Sequence, residues 1–245
     1  MQRVEVELEV GARVATVRLP VGTWTRRAAL ELDDILAELA EDDSDEVRVI
    51  VLAGAGPDFC VGPAPDLKAD AGGVDPPARL AASRRPVIAA VSGSCRSVGV
   101  AIALAADIRV VDPACRFALP EVPEGRVPPW NAISLAVRVM GPARATPVVL
   151  LGAEVSGRQA TAVGWAHEVC EEPEARAAGM ATQLAERGPL ALEYAKEAIW
   201  RGVQLPMGHA MRLEADFNHL LQGSSDRAEG LTAFFEKRQP GFTGE

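Results

Sequence analysis

Positive charge is in short supply in this 245-residue chain: 25 lysines and arginines stand against 34 aspartates and glutamates, a net charge of −9. Such a surface repels a phosphate backbone or an anionic membrane on average, so neither nucleic acid nor a lipid surface is expected as the main partner, although a local basic patch still suits a phosphate. Cysteine is sparse too. Cys60, Cys95, Cys115 and Cys170 are far apart with no Cys-x-x-Cys pair, which indicates neither a zinc site nor a disulfide framework and fits a reducing, cytoplasmic compartment. The histidines, His167, His209 and His219, show no metal-ligand spacing. No stretch approaches the roughly 18 unbroken apolar residues of a membrane helix. The opening Met1-Gln-Arg-Val-Glu-Val-Glu-Leu-Glu9 alternates charged and apolar residues rather than forming a secretory segment. A soluble, unprocessed chain is expected, without membrane insertion.

What is present is enough apolar material for a sizeable core, 48% hydrophobic residues with a mean hydropathy of +0.07. Val4–Glu9 and Arg13–Leu19 alternate with period 2 around Gly11-Ala12 and read as a hairpin. From Arg26 to Glu41 the positions Leu30, Leu32, Ile35, Leu36 and Leu39 recur at helical spacing. Val47–Ala53, Val87–Val91 and Ile108–Val111 are β-branched runs. Strands alternating with helical segments imply crossover connections and a mostly parallel sheet, an α/β architecture. Pro63-Ala-Pro65 and Ala69–Pro77 are too rich in Gly and Pro for regular structure and read as a mobile loop beside a pocket. After Gly125 the pattern is helical. Asn131–Met140 comes first, then a helix capped by Thr146 with Pro147 at its first position, then a capping-box start at Ser156-Gly-Arg-Gln159. Glu174–Arg187, Leu190–Arg201, His209–Leu221 and Asp226–Lys237 complete the set.

Two segments carry the chemistry. Arg85–Asp107 runs from a buried-strand pattern through the small-residue turn Ser92-Gly-Ser-Cys-Arg-Ser-Val-Gly99 into an Ala-rich helix, and Phe117-Ala-Leu-Pro-Glu121 follows. A helix beginning near Ser97 aims the Val98 amide and the positive end of its dipole at an anion, with a carboxylate nearby. Read alone, Glu121 is more readily a solvated loop carboxylate than a catalytic one.

These segments, with Val47–Gly54, Phe59-Cys-Val-Gly62, Asp66-Leu-Lys68 and Glu229–Phe242, resemble the enoyl-CoA hydratase/isomerase (crotonase) family over most of the chain. The resemblance implies a crotonase-like (ClpP/crotonase) fold of repeated ββα units over 1–185 and a C-terminal helical trimerisation region over 186–245. It implies an acyl-CoA thioester as partner, coenzyme A entering as part of the substrate with no permanently bound cofactor and no metal, and a homotrimer or hexamer (dimer of trimers). It also implies an oxyanion hole of two backbone N–H groups gripping the thioester oxygen, at positions that hold Pro63 and Val98 here. Val98 keeps its donor and Pro63 has none. The segment Gly62-Pro-Ala-Pro-Asp-Leu-Lys68 is two residues longer than the family's usual Gly-x-Asp-Leu-Lys, so Ala64 is expected to take over if the chain shifts.

The two carboxylates of the family's hydratases fall on Ala101 and Glu121. With one carboxylate, the pattern resembles the isomerase branch, Glu121 acting as acid/base. The alternative is a weakly catalytic or non-catalytic acyl-CoA-binding protein of fatty-acid or polyketide metabolism. Asp66, Leu67 and Lys68 match the segment along the adenosine end of coenzyme A, though alone they read as a common helix start. Phe234 and Lys237 match a pair that reaches the nucleotide from the last helix; alone they read as a core Phe and a solvated Lys. Arg96 suits either a ligand anion or a nearby acid. Glu124 is expected on the surface. Arg26 and Arg27 lie near a coenzyme A contact without a match good enough to carry a role. Trp130 and Asn131 replace family glycines and are expected to reshape the acyl pocket.

Overall fold

The β-branched runs form the centre of the molecule. The structure, a computed structural model, describes residues 5–42, 44–64, 67 and 73–245. β1 (Glu7–Gly11) and β2 (Val14–Leu19) pair as the expected antiparallel hairpin, Ala12 and Arg13 adopting φ of 51° and 62° in its two-residue turn. Val4, expected in the first strand, lies outside the described residues. α1 (Arg26–Glu41) begins where the Thr25 side chain accepts the Ala28 amide at 3.0 Å, and it buries Leu32, Leu36 and Leu39. Next come β3 (Val49–Gly54), α2 (Pro76–Ala82), β4 (Val87–Val91), β5 (Ser94–Arg96), α3 (Val98–Ala105), β6 (Ile108–Val111) and β7 (Arg116–Ala118). The second half holds α4 (Ala132–Met140), α5 (Pro142–Leu151), β8 (Val155–Ser156), α6 (Gly157–Val163), β9 (Glu168–Val169), α7 (Pro173–Ala185), α8 (Pro189–Gly202), α9 (Met207–Gln222) and α10 (Ser225–Glu236).

The main sheet has the order β1-β2-β3-β4-β6-β9, and every pairing after the hairpin is parallel. Both faces are covered, so β3 and β4 are apolar without alternation. Val49, Val51 and Ala53 of β3 meet Ala177, Ala181 and Ala185 of α7, while Ile50 and Leu52 face the larger core shared with α1 and α3. A second sheet, β5-β7-β8, starts just after β4 in the chain, and its first strand leads directly into α3. All eight residues of α3 are buried. Asp107, just past α3, holds α8 in place: its carboxylate meets the Lys196 ammonium at 2.8 Å and accepts the Trp200 indole N–H at 2.6 Å and the Val87 amide at 2.7 Å.

Three expectations are corrected. Pro147 lies inside α5, which starts at Pro142 after Gly141; the Thr146 hydroxyl donates to the Pro142 carbonyl one turn back at 2.8 Å instead of capping. Pro76 and Pro77, read as loop, are the first turn of α2, because Asp75 caps it by accepting the Ala78 amide at 3.0 Å and proline suits a first turn. Phe234 is no core residue, being 77% exposed. The capping box at Ser156 and Gln159 is formed as expected.

Candidate active site

Backbone hydrogen bonds draw the two sequence motifs together. Phe59 and Cys60 donate to Ser92 and Ser94 carbonyls at 2.9 Å each, and the Arg96 amide returns one to Cys60 O at 2.9 Å, laying Phe59–Gly62 alongside β5. The Cys60 sulfur then accepts the Gly62 and Gly99 amides, tying that segment to the first turn of α3. The approach is close: a Cβ on Gly99 would sit 2.5 Å from the Cys60 Cβ, so only glycine fits. Burial outweighs the two N–H contacts and pushes the Cys60 thiol up to about 11; it is a packed neutral group rather than a nucleophile.

Val98, 1% exposed, opens α3 and so has no intrahelical acceptor for its amide. Its neighbour Ser97 donates its amide to Ala118 O at 2.9 Å, which fixes the end of β7 against the helix start. Glu121 follows three residues later in a turn held by Arg126 N–H on Glu121 O at 2.8 Å. It is wholly buried, and neither carboxyl oxygen has a hydrogen-bond partner among the described residues. An unpartnered buried carboxyl is costly, and that cost marks functional sites more often than structural ones. Ala101, in the next turn of α3, contributes only a buried methyl group.

The segment after Gly62 is held by Trp24. Its amide donates to Gly62 O and its carbonyl accepts the Ala64 amide, both at 2.8 Å, so Pro63 is bridged to Trp24 as in a parallel ladder. The Ala64 N–H, expected to replace the missing donor, is therefore committed to Trp24. The nitrogen of residue 63 faces the opposite edge. The Trp24 ring packs edge-on to Trp130 with centroids 6.0 Å apart; both are buried, and neither indole N–H has a partner among the described residues. Trp130 and Asn131 sit at φ of 50° and 59°, a backbone suited to the glycines they were read as replacing.

The remaining residues disperse. Leu67 is half-buried against the core, its amide donating to Ala64 O at 3.0 Å; Asp66 and Lys68 lie outside the described residues. Phe234 and Lys237 are exposed on and just past α10. Arg96 pairs with Glu154 at 3.2 Å, Glu124 pairs with Arg126, and Arg27 pairs with Glu31 at 2.6 Å. His167 is structural: its Nδ1 accepts the Arg109 amide at 3.0 Å. Among the described residues no cluster suits a metal ion and no helix is long and apolar enough to cross a membrane.

Neither Ser97 nor Trp24 carries a local sequence signal that marks it for a role at the site. Ser97 has φ 53° and ψ −116°, a conformation costing a non-glycine residue about 1 to 3 kcal/mol. Serine is an ordinary turn residue, so its sequence gave no hint of this strain.

A family model described as Enoyl-CoA hydratase/isomerase matches residues 20–245. A 1,2-epoxyphenylacetyl-CoA isomerase of Escherichia coli is 30% identical over the full length of both chains. A 2,3-dehydroadipyl-CoA hydratase of the same organism is 32% identical over 88% of each chain. The crystal structure of an enoyl-CoA hydratase from Bacillus anthracis superposes with a TM-score of 0.88 at 28% identity, covering 98% of this chain and all of that one.

Proposed function

This chain belongs to the enoyl-CoA hydratase/isomerase family, and from that premise we propose that it moves a proton on an enoyl-CoA thioester with Glu121 as the acid/base and the Val98 amide as an oxyanion donor. Relatives named for isomerisation and for hydration all act on coenzyme A thioesters. The observation that carries the assignment is Glu121 itself, fully buried with both oxygens unpartnered among the described residues, three residues past Ala118, whose carbonyl accepts the Ser97 amide at the start of α3.

In the proposed reaction the Glu121 carboxylate takes a proton from C2 of a 3-enoyl thioester. Charge flows to the thioester oxygen, where the Val98 N–H stabilises it, and the carboxylic acid returns the proton to C4. One carboxyl suffices for this 1,3-shift, whereas hydration gains from a second group to orient water; Ala101 offers none. These steps require only hydrogen bonds and one proton carrier, so no permanently bound cofactor is proposed. Asp66, Leu67 and Lys68 are proposed to follow the adenosine end of coenzyme A. Exposed Ile199, Val203, Met207, Met211, Phe234 and Phe235 on α8 to α10 and their connections support a homotrimer or dimer of trimers, with Phe234 and Lys237 reaching the nucleotide. Light scattering of the purified protein reads the assembly.

The test is turnover of 3-enoyl- and 2-enoyl-CoA. Glu121→Gln should lower kcat on the 3-enoyl substrate by about 10²-fold or more; unchanged turnover removes Glu121 from the role. The absent Pro63 donor and the committed Ala64 amide favour a second reading, an acyl-CoA binder without efficient chemistry. Tight calorimetric binding of a saturated acyl-CoA with no turnover of either substrate would select it.

A further inference from the structure

We propose that the Ser97 hydroxyl is a catalytic hydrogen-bond donor, supplying the second contact to the thioester oxygen beside the Val98 amide. The inference rests on the proposed function above and adds a group to it. Ser97 stands at the N-cap of α3 but does not behave as a cap. Thr25 and Ser224, at the same position of their helices, have extended backbones, and their side chains accept amides from Ala28 and Arg227. Ser97 instead has φ 53° and ψ −116°, and its side chain accepts nothing. The α3 amides of Val100 and Ala101 are met by its carbonyl at 3.0 and 3.3 Å, so its hydroxyl is left over.

Ser97 is 1% exposed, and its buried hydroxyl has no hydrogen-bond partner among the described residues. A serine here bears backbone strain that glycine would relieve, and it gains no cap and no internal hydrogen bond in return. What distinguishes the position is its surroundings. The covalently adjacent residue carries the Val98 amide, which has no backbone acceptor among the described residues. A Cβ built on Gly62 would lie 4.0 Å from the Ser97 Cβ, so the side chain borders the segment whose next residue, Pro63, has no N–H. An O–H donor at that border can meet an oxygen already gripped by Val98, and a hydroxyl rotates to suit its acceptor. Developing enolate charge strengthens the bond without any transfer of the hydroxyl proton.

The experiment uses wild type, Ser97→Ala and Ser97→Gly, each assayed for turnover of 3-enoyl-CoA and for the absorption of bound cinnamoyl-CoA. The conjugated thioester of that probe absorbs at longer wavelength when its carbonyl oxygen is polarised. Both variants should lose about 10²- to 10³-fold in kcat with KM within a few fold, and both should shrink the red shift. Ser97→Gly should also raise thermal stability, because it relieves the strain. It keeps the test available if the alanine variant does not fold. Wild-type kcat and red shift in Ser97→Gly would overturn the proposal, since a purely structural serine predicts that outcome. If the wild type binds cinnamoyl-CoA without turnover, the red shift alone decides. If it does not bind cinnamoyl-CoA at all, the proposed function fails first and Ser97's role with it.

Discussion

Replacing Pro63 by alanine should make this protein faster. The substitution restores an N–H at a position whose geometry is already fixed. The flanking bonds from Trp24 N to Gly62 O and from Ala64 N to Trp24 O, both 2.8 Å, involve neither the nitrogen nor the carbonyl of residue 63. They therefore survive the change, and the new amide projects on the edge away from Trp24. Loss of one oxyanion donor elsewhere costs about 10²- to 10³-fold in kcat. With Val98 and Ser97 already on the oxygen, a third donor should return less, roughly tenfold; in a Ser97→Ala background, where it is the second donor, the return should approach 10²-fold. Freeing the unfolded chain from proline should cost about 0.4 to 1 kcal/mol of stability. Steady-state kinetics on 3-enoyl-CoA for wild type, the two single variants and the double variant measure these gains, and urea unfolding checks the stability cost. A Pro63→Ala protein that is folded, binds substrate and turns it over no faster in either background would refute the reasoning about this loop.

Three further outcomes follow from the packing around the site. Lys196→Ala strips the ammonium from Asp107, where the two side chains are 7% and 19% exposed; it should lower urea-derived stability by about 3 kcal/mol, since removing one partner leaves a buried charge unpaired. Gly99→Ala forces a Cβ to 2.5 Å from the Cys60 Cβ, and should cost about 1 to 3 kcal/mol by overpacking while lowering kcat as the Val98 amide moves with the helix. Burial, with Arg109 adding to it, holds the His167 imidazole below its ordinary value. The unfolded chain therefore binds the proton first, so stability is full above about pH 6.5 and declines as pH falls below it towards the folded-state value. Thermal melts from pH 7.5 to 5.5 should show that decline in wild type and a shallower one in His167→Asn.

Much of the fold is legible in the sequence because its central signals are local. The β-branched runs give β4 and β6 their full spans, and β3 to within two residues at its start. The leucine spacing gives α1, and the small-residue turn gives the start of α3 beside a carboxylate. The second sheet was not legible, because β5, β7 and β8 are two or three residues long and exist only through pairing across the chain. Pro147 has the form of a helix start because proline suits a first turn, while Gly141-Pro142 five residues earlier already starts the helix. At the site, Ala64 was a reasonable substitute donor by residue type. Its amide is committed to Trp24, a residue about forty positions earlier that no local pattern connects to it. Ser97 is not legible in the sequence because its distinguishing property is a backbone angle.

The central claim, that the Glu121 carboxyl exchanges a proton with the carbon beside a thioester held at the start of α3, is tested most directly by incubating a saturated acyl-CoA with the protein in D2O and following deuterium at C2 by NMR. The wild type should wash deuterium in, and Glu121→Gln should do so at least about 10²-fold more slowly while binding the thioester with unchanged affinity. Equal exchange by the two proteins, or binding with no exchange by the wild type, would contradict it.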